Sequence, residues 1–89
     1  MPNDKNEIRV QVHYIAAAQP FQTTVLPSVT IGTVKAEALN KFGLEETAQK
    51  TFKVFYKKDE LQNLSQAFGE VAGDKRELKL DLEEFLTQG

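Results

Sequence analysis

Apolar and polar positions change period along the chain, and the changes mark the elements. In "IRVQVHY", Ile8, Val10, Val12 and Tyr14 alternate with Arg9, Gln11 and His13. A period of two predicts a half-buried strand. "IAAAQP" reads as a loop or wide turn. "FQTTV" then alternates again, with Phe21, Thr23 and Val25 on one side. Two short strands joined by a small loop predict an antiparallel hairpin. The period then lengthens. Ile31, Val34, Ala38 and Phe42 recur at helical spacing, with Leu39 at the margin of the stripe. Thr30 stands where an N-cap is needed, and Gly43 where a left-handed residue stops a helix. Gly32 and Thr33 are weak helix formers in the first turn, so the cap and tertiary packing must compensate.

The second half returns to strands. "TFKVFYK" places Phe52, Val54 and Tyr56 on one face and Lys53, Phe55 and Lys57 on the other. "KKDE" follows as a charged turn. Leu61, Leu64, Phe68 and Val71 then anchor an irregular segment, with room for a helical turn near Ser65–Phe68. "AGDK" signals a turn. "ELKLDL" closes the pattern as a strand with Leu78, Leu80 and Leu82 inward. The order is strand, strand, helix, strand, loop, strand. It predicts an α+β fold, a four- to five-stranded mixed sheet crossed by one helix.

Composition narrows the chemistry. Eighty-nine residues make one domain. We read 1–7 as a flexible polar tail, 8–83 as the domain and 84–89 as a C-terminal tail. No cysteine is present, which removes disulfides, thiolate metal sites and a catalytic thiol. The net charge of −2 comes from interspersed signs, without a basic stripe for nucleic acid. No apolar run approaches the roughly 18 residues of a membrane span. "MPNDKNE" lacks the apolar core of a signal peptide. A cytoplasmic monomer is the expectation. His13 is the only histidine and has no second metal ligand at a useful spacing, so it reads as a solvated strand residue. With no phosphate-binding glycine loop either, catalysis and a bound cofactor are not expected of this chain.

One stretch carries a resemblance. "PSVTIGTVKAEALNKFG" resembles the strand-to-helix segment of ubiquitin: the Pro-Ser entry, Thr30, Ile31, Val34, Lys35, Ala36, Lys41 and Gly43 fall in the same relative places without a gap. Leu78, Leu80 and Leu82 match ubiquitin's last strand. The resemblance covers about residues 8–83. It implies a β-grasp, ubiquitin-like fold, of the kind found in ubiquitin-like modifiers including bacterial ones. It also implies that the core-facing Lys35 buries its stem and pairs its amine with a carboxylate, with Asp59 or Glu60 as candidates. The roles of Lys35, Thr30 and Gly43 are then structural.

Phe55 is the leading contact residue. Strand alternation sets this large aromatic on the face away from the helix, between Lys53 and Lys57. The resemblance places it on the hydrophobic patch that ubiquitin's partner domains grip, with Lys53, Lys57 and His13 around it. Phe55 is either that anchor or a ring half covered by the last strand or the tail. Lys57 and Lys58 would accept a second copy if the protein builds chains.

The tail "EEFLTQG" bears on function, and the leading reading that the resemblance implies is a protein modifier. In a ubiquitin-like modifier the terminal glycine carboxylate is activated by a partner enzyme using ATP, then passed by conjugating enzymes to amines of target proteins. Gly89 would supply that group, and glycine suits a narrow site because it lacks a Cβ. The match is partial, since Gln88 precedes the glycine and Glu83 and Glu84 are acidic. The alternatives are a ubiquitin-like interaction domain that is never conjugated, and a β-grasp sulfur carrier. Asp81 with Glu84 also has the outline of a capping box, and Leu82, Phe85 and Leu86 could share one helical face. On that reading the tail curls into a helical turn. Gly89 could also be an internal residue of a longer precursor.

Overall fold

A computed structural model describes residues 7–87. The hairpin forms as expected: β1 (Ile8–Tyr14) pairs antiparallel with β2 (Phe21–Val25), Val10 opposite Thr23. Helix α1 (Ile31–Phe42) follows, and then β3 (Lys50–Tyr56). The "KKDE" turn is tighter than a loop. Lys57 and Lys58 take φ of 54° and 76°, and the chain doubles back as a two-residue strand, β4 (Asp59–Glu60). The expected helical turn near Ser65–Phe68 lies further along, as α2 (Phe68–Ala72). β5 (Glu77–Leu86) closes the fold.

The five strands form one mixed sheet in the order β2-β1-β5-β3-β4. The first and last strands are parallel neighbours at its centre, Val10 opposite Leu78 and Tyr14 opposite Leu82. β3 runs antiparallel to β5, Val54 opposite Leu82 and Phe55 opposite Asp81. β5 does not end at Glu83. It stays on β3 through Leu86, opposite Lys50, so the tail is strand where a helical turn was one expectation.

Alternation buries one face against α1. Val10, Val12, Phe52, Val54, Leu78, Leu80 and Leu82 from the sheet meet Ile31, Val34 and Ala38 from the helix, and Phe68 closes the end of the core. No polar or charged side chain is buried among the described residues. The helix stripe therefore docks as its spacing predicted, with Phe42 at the rim against Tyr14.

The helix ends explain its weak residues. Thr30 is the N-cap, its Oγ1 accepting from the Thr33 N–H at 3.3 Å. The first two helical N–H groups are answered by the irregular segment: Ile31 donates to the Gln66 carbonyl at 2.9 Å and Gly32 to the Leu64 carbonyl at 2.8 Å. These are donors that a helix cannot satisfy internally. A Cβ at Gly32 would sit 3.1 Å from the Leu64 carbonyl oxygen, so the close strap is what glycine permits here. At the other end Gly43 has φ 73°, and the Leu44 N–H reaches back to the Leu39 carbonyl at 2.8 Å. That is a left-handed stop with its 6→1 bond.

Lys35 lies over the core side with its side chain 12 % exposed. Its partner is neither Asp59 nor Glu60. Nζ meets Glu46 Oε2 at 3.1 Å, and the same oxygen accepts from the Phe52 N–H at 2.9 Å. Asp59 and Glu60 are carried away by the β3–β4 hairpin, whereas Glu46 sits in the α1–β3 connection. One carboxylate thus ties helix, connection and sheet. The Phe52 N–H, and after it Lys35, hold the Glu46 carboxyl below its ordinary 4.5 against the opposing effect of desolvation. A carboxyl with a lowered folded pKa contributes stability that is present above the unfolded value and lost as pH falls through the folded one. Urea midpoints of the wild type should therefore fall on acidification below about pH 4.5. Glu46→Gln should flatten that part of the profile. An unchanged acid limb in Glu46→Gln would exclude Glu46 as its source.

Candidate interaction face

The outer face of the sheet, away from α1, carries the odd-numbered residues of β3 and β5. One row crosses four strands: His13 on β1, Asp81 on β5, Phe55 on β3 and Glu60 on β4. The neighbouring pairs are Lys53 with Glu83 and Thr51 with Phe85. Phe55 is half-buried, and what covers it is Phe85 of the last strand, so the ring is half covered as the second of its two readings has it. Their ring centroids are 6.2 Å apart at 33°. The Lys53 ammonium sits 4.8 Å from the Phe85 ring centre and 3.8 Å from Glu60 Oε2. Phe85 keeps 37 % of its surface exposed. The result is an aromatic ridge along β3 and β5, flanked by charges of both signs.

The residues singled out from the sequence divide. Phe55 and Lys53 are together on this ridge, as alternation predicts. His13 is exposed on the same face but lies one strand further, beyond Asp81. Lys57 is not beside Phe55. Its positive φ takes it out of the strand alternation, and its ammonium lies 5.4 Å from the Tyr56 ring centre. Lys75 reaches the same phenol, Nζ to Oη at 3.3 Å. The Lys75 hydrogen bond first, and the charge of both ammonium groups, hold Tyr56 below its ordinary 10.0. Lys58 is exposed in the turn. Gly89 lies outside the described residues.

Phe85 is the member that sequence reasoning missed. Its signal was present: continuing the alternation of Leu78, Leu80 and Leu82 by one step puts Glu83 and Phe85 outward. Glu84 on the inward side hid it, because an acid there looks like the end of a core strand. Glu84 is tolerated because it stands past the core and accepts the Tyr14 hydroxyl at 3.1 Å. Desolvation first, then that bond and the carboxylate charge, push the Tyr14 phenol above its ordinary 10.0.

The described residues hold no cluster of three side chains suited to a metal ion, and no helix long and apolar enough to cross a membrane.

No protein-family model and no curated protein sequence matches the chain. Solved structures do. The chain is similar to Caldiarchaeum subterraneum ubiquitin, with a TM-score of 0.71 at 18% identity over 85% of this chain and 90% of that one. It is similar to the UBL domain of yeast Ddi1, with a TM-score of 0.71 at 14% identity over 99% and 100%. Trypanosoma brucei ATG8 gives a TM-score of 0.70 at 13% identity over 97% and 79%. At these identities the likeness shows the fold, which is ubiquitin-like β-grasp.

Proposed function

We propose that this chain, a ubiquitin-like β-grasp protein, is a protein-interaction module whose outer sheet face recruits partner proteins. The observation that carries the reading is the Phe55–Phe85 ridge. Aromatic anchors rimmed by charged groups are the side chains that concentrate binding energy at interfaces. Lys53 and Glu60 form the polar rim on the β3–β4 side, and Asp81 and Glu83 form it on the β5 side. His13 marks the outer limit of the face.

The second reading is a protein modifier, with the Gly89 carboxylate activated by an ATP-using partner enzyme and transferred to target amines. Lys57 and Lys58, both in the β3–β4 turn, would then be acceptors in chains. The likeness to a ubiquitin favours it only at the level of fold. One observation weighs the other way. The Thr87 N–H is bonded to the Gln49 carbonyl at 2.6 Å, so the sheet holds this segment almost to the glycine. A narrow enzyme channel would have to peel it off β3 first.

The two readings separate in one experiment. The full chain and a chain lacking Gln88 and Gly89 are used to capture partners from a lysate, and the captured material is run under denaturing conditions. The module reading expects the same partners with both chains, all released by denaturant. Adducts that survive denaturation and vanish with the truncated chain would overturn it in favour of a modifier.

A further inference from the structure

β5 outruns β1. The last β1 partner is Tyr14, opposite Leu82, yet β5 continues to Leu86 with β3 alone beside it. Backbone directions follow from two hydrogen bonds. The Arg76 carbonyl accepts from the Arg9 N–H at 2.8 Å, and the Thr87 N–H donates to Gln49. Alternation then turns even-numbered residues of this strand toward β1 and odd-numbered ones toward β3. The N–H and C=O groups of Glu84 and Leu86 therefore point off the sheet, into the space that β1 vacates. Among the described residues no strand pairs there. An unpaired edge of this kind is a template for another chain.

The surroundings select the occupant. An open groove begins where β1 turns away, with His13, Tyr14, Ile15 and Ala16 on one side and Asp81 to Glu84 on the other. Ile15 is 99 % exposed and Leu86 71 %. Asp81, Glu83 and Glu84 make no ion pair among the described residues, and the nearby Lys53 is turned to Glu60. The edge is acidic at one end and apolar at the other, on both faces: Glu84 and Leu86 lie toward the helix, Glu83 and Phe85 toward the outside. A second copy offering the same edge would set these carboxylates against their equivalents in the parallel sense and against Phe85 and Leu86 in the antiparallel sense, so neither sense brings them a cation.

We propose that the edge of β5 from Glu83 to Leu86 binds an extended peptide of a partner protein as an added strand, the peptide carrying two consecutive basic residues next to two consecutive apolar ones. Main-chain bonds to Glu84 and Leu86 hold the strand. The basic pair meets Glu83 and Glu84. The apolar pair meets Phe85 and Leu86. This is strand addition, with backbone supplying affinity and alternate side chains supplying choice. It shares Phe85 with the ridge, but it rests on the unpaired backbone groups of Glu84 and Leu86, which the ridge does not use.

The test is an NMR titration of the full chain with two capped probes, Thr-Lys-Lys-Val-Val-Thr and its reversed sequence, which cover the parallel and antiparallel senses. The expected result is shift changes and new protection from exchange at the Glu84 and Leu86 amides with one of them. Leu86→Pro should weaken binding by about fivefold or more, the cost of one backbone bond. Its fold should survive, because the Leu86 N–H faces away from β3 and proline is tolerated at such an edge. Glu83→Gln with Glu84→Gln should weaken binding by about fivefold and reduce its salt dependence. The reverse outcomes overturn the proposal: equal binding of a probe with glutamate for lysine, perturbations centred on the open β2 edge (Phe21–Val25), self-association through the β5 edge without peptide, or no perturbation at millimolar probe. Glu70→Ala, exposed on α2 and away from this edge, should leave the titration unchanged. New protection confined to the Glu84 and Leu86 amides separates this edge from the Phe55 ridge, whose failure is read from the Phe55→Ala affinity for a captured partner.

Discussion

Phe68→Ala is expected to destabilise the domain by about 3–4 kcal/mol, the cost of deleting a fully buried aromatic ring. Phe68 has no exposed surface. It opens α2, and its backbone is held as firmly as its ring: the Phe68 N–H donates to the Val29 carbonyl and the Gly69 N–H to the Pro27 carbonyl, each at 2.9 Å. The cavity cannot collapse by sliding α2 inward, since Gly69 already packs so closely that a Cβ there would lie 2.9 Å from the Pro27 Cβ. A small domain has roughly 5–15 kcal/mol in total, so the loss is a large share. Urea denaturation of the variant against the wild type gives the number. Leu64→Ala is the control. Leu64 belongs to the same segment but is 37 % exposed, and should cost under about 1 kcal/mol. Equal losses in the two variants would mean that Phe68 is not the anchor.

Phe55→Ala is expected to lower the affinity of a ridge-binding partner by about 2 kcal/mol, roughly thirtyfold in Kd. The loss should exceed that of Phe85→Ala or His13→Ala. Phe55 sits mid-row with a strand on either side, Asp81 across one and Glu60 across the other, so a docked partner would surround it. Phe85 lies toward the end of β5, and His13 is a strand further out. Titration calorimetry on a captured partner tests the ranking. A ridge that behaves as an interface gives the largest loss at Phe55; a uniform small loss across the three would place the contact elsewhere. Thermal melts of the same variants should differ little from the wild type, because none of the three side chains belongs to the buried core.

Where the pattern in the chain was regular, it was sufficient. Alternation in β1, β2, β3 and β5 and the stripe on α1 each reflect one buried face, and Thr30 and Gly43 perform the capping that their positions imply. The segment from Leu61 to Val71 was less readable. Its order comes from bonds to the start of α1 rather than from a period of its own, and such bonds have no signature in local spacing. The partner of Lys35 was misplaced for a related reason. A charge pair depends on where connections travel, and the tight β3–β4 turn removes Asp59 and Glu60 from reach while the α1–β3 connection brings Glu46 in. Lys57 departs from strand alternation because two residues with positive φ reverse the chain there. Phe85 required following a strand past its last core leucine.

The central pairing of β1 with β5 also sets an order of events at the ribosome. The β1–β2 hairpin and α1 emerge early, but the other edge of β1 has no neighbour until Glu77 and the residues after it are synthesised. Until then Val10 and Val12 lack Leu78 and Leu80 beside them, and β3 lacks the strand that joins it to the sheet. Contacts so distant in sequence form slowly and late. A nascent chain stalled before the last strand would hold two unsatisfied edges and a core without Leu78, Leu80 and Leu82, the condition in which chaperones find their clients.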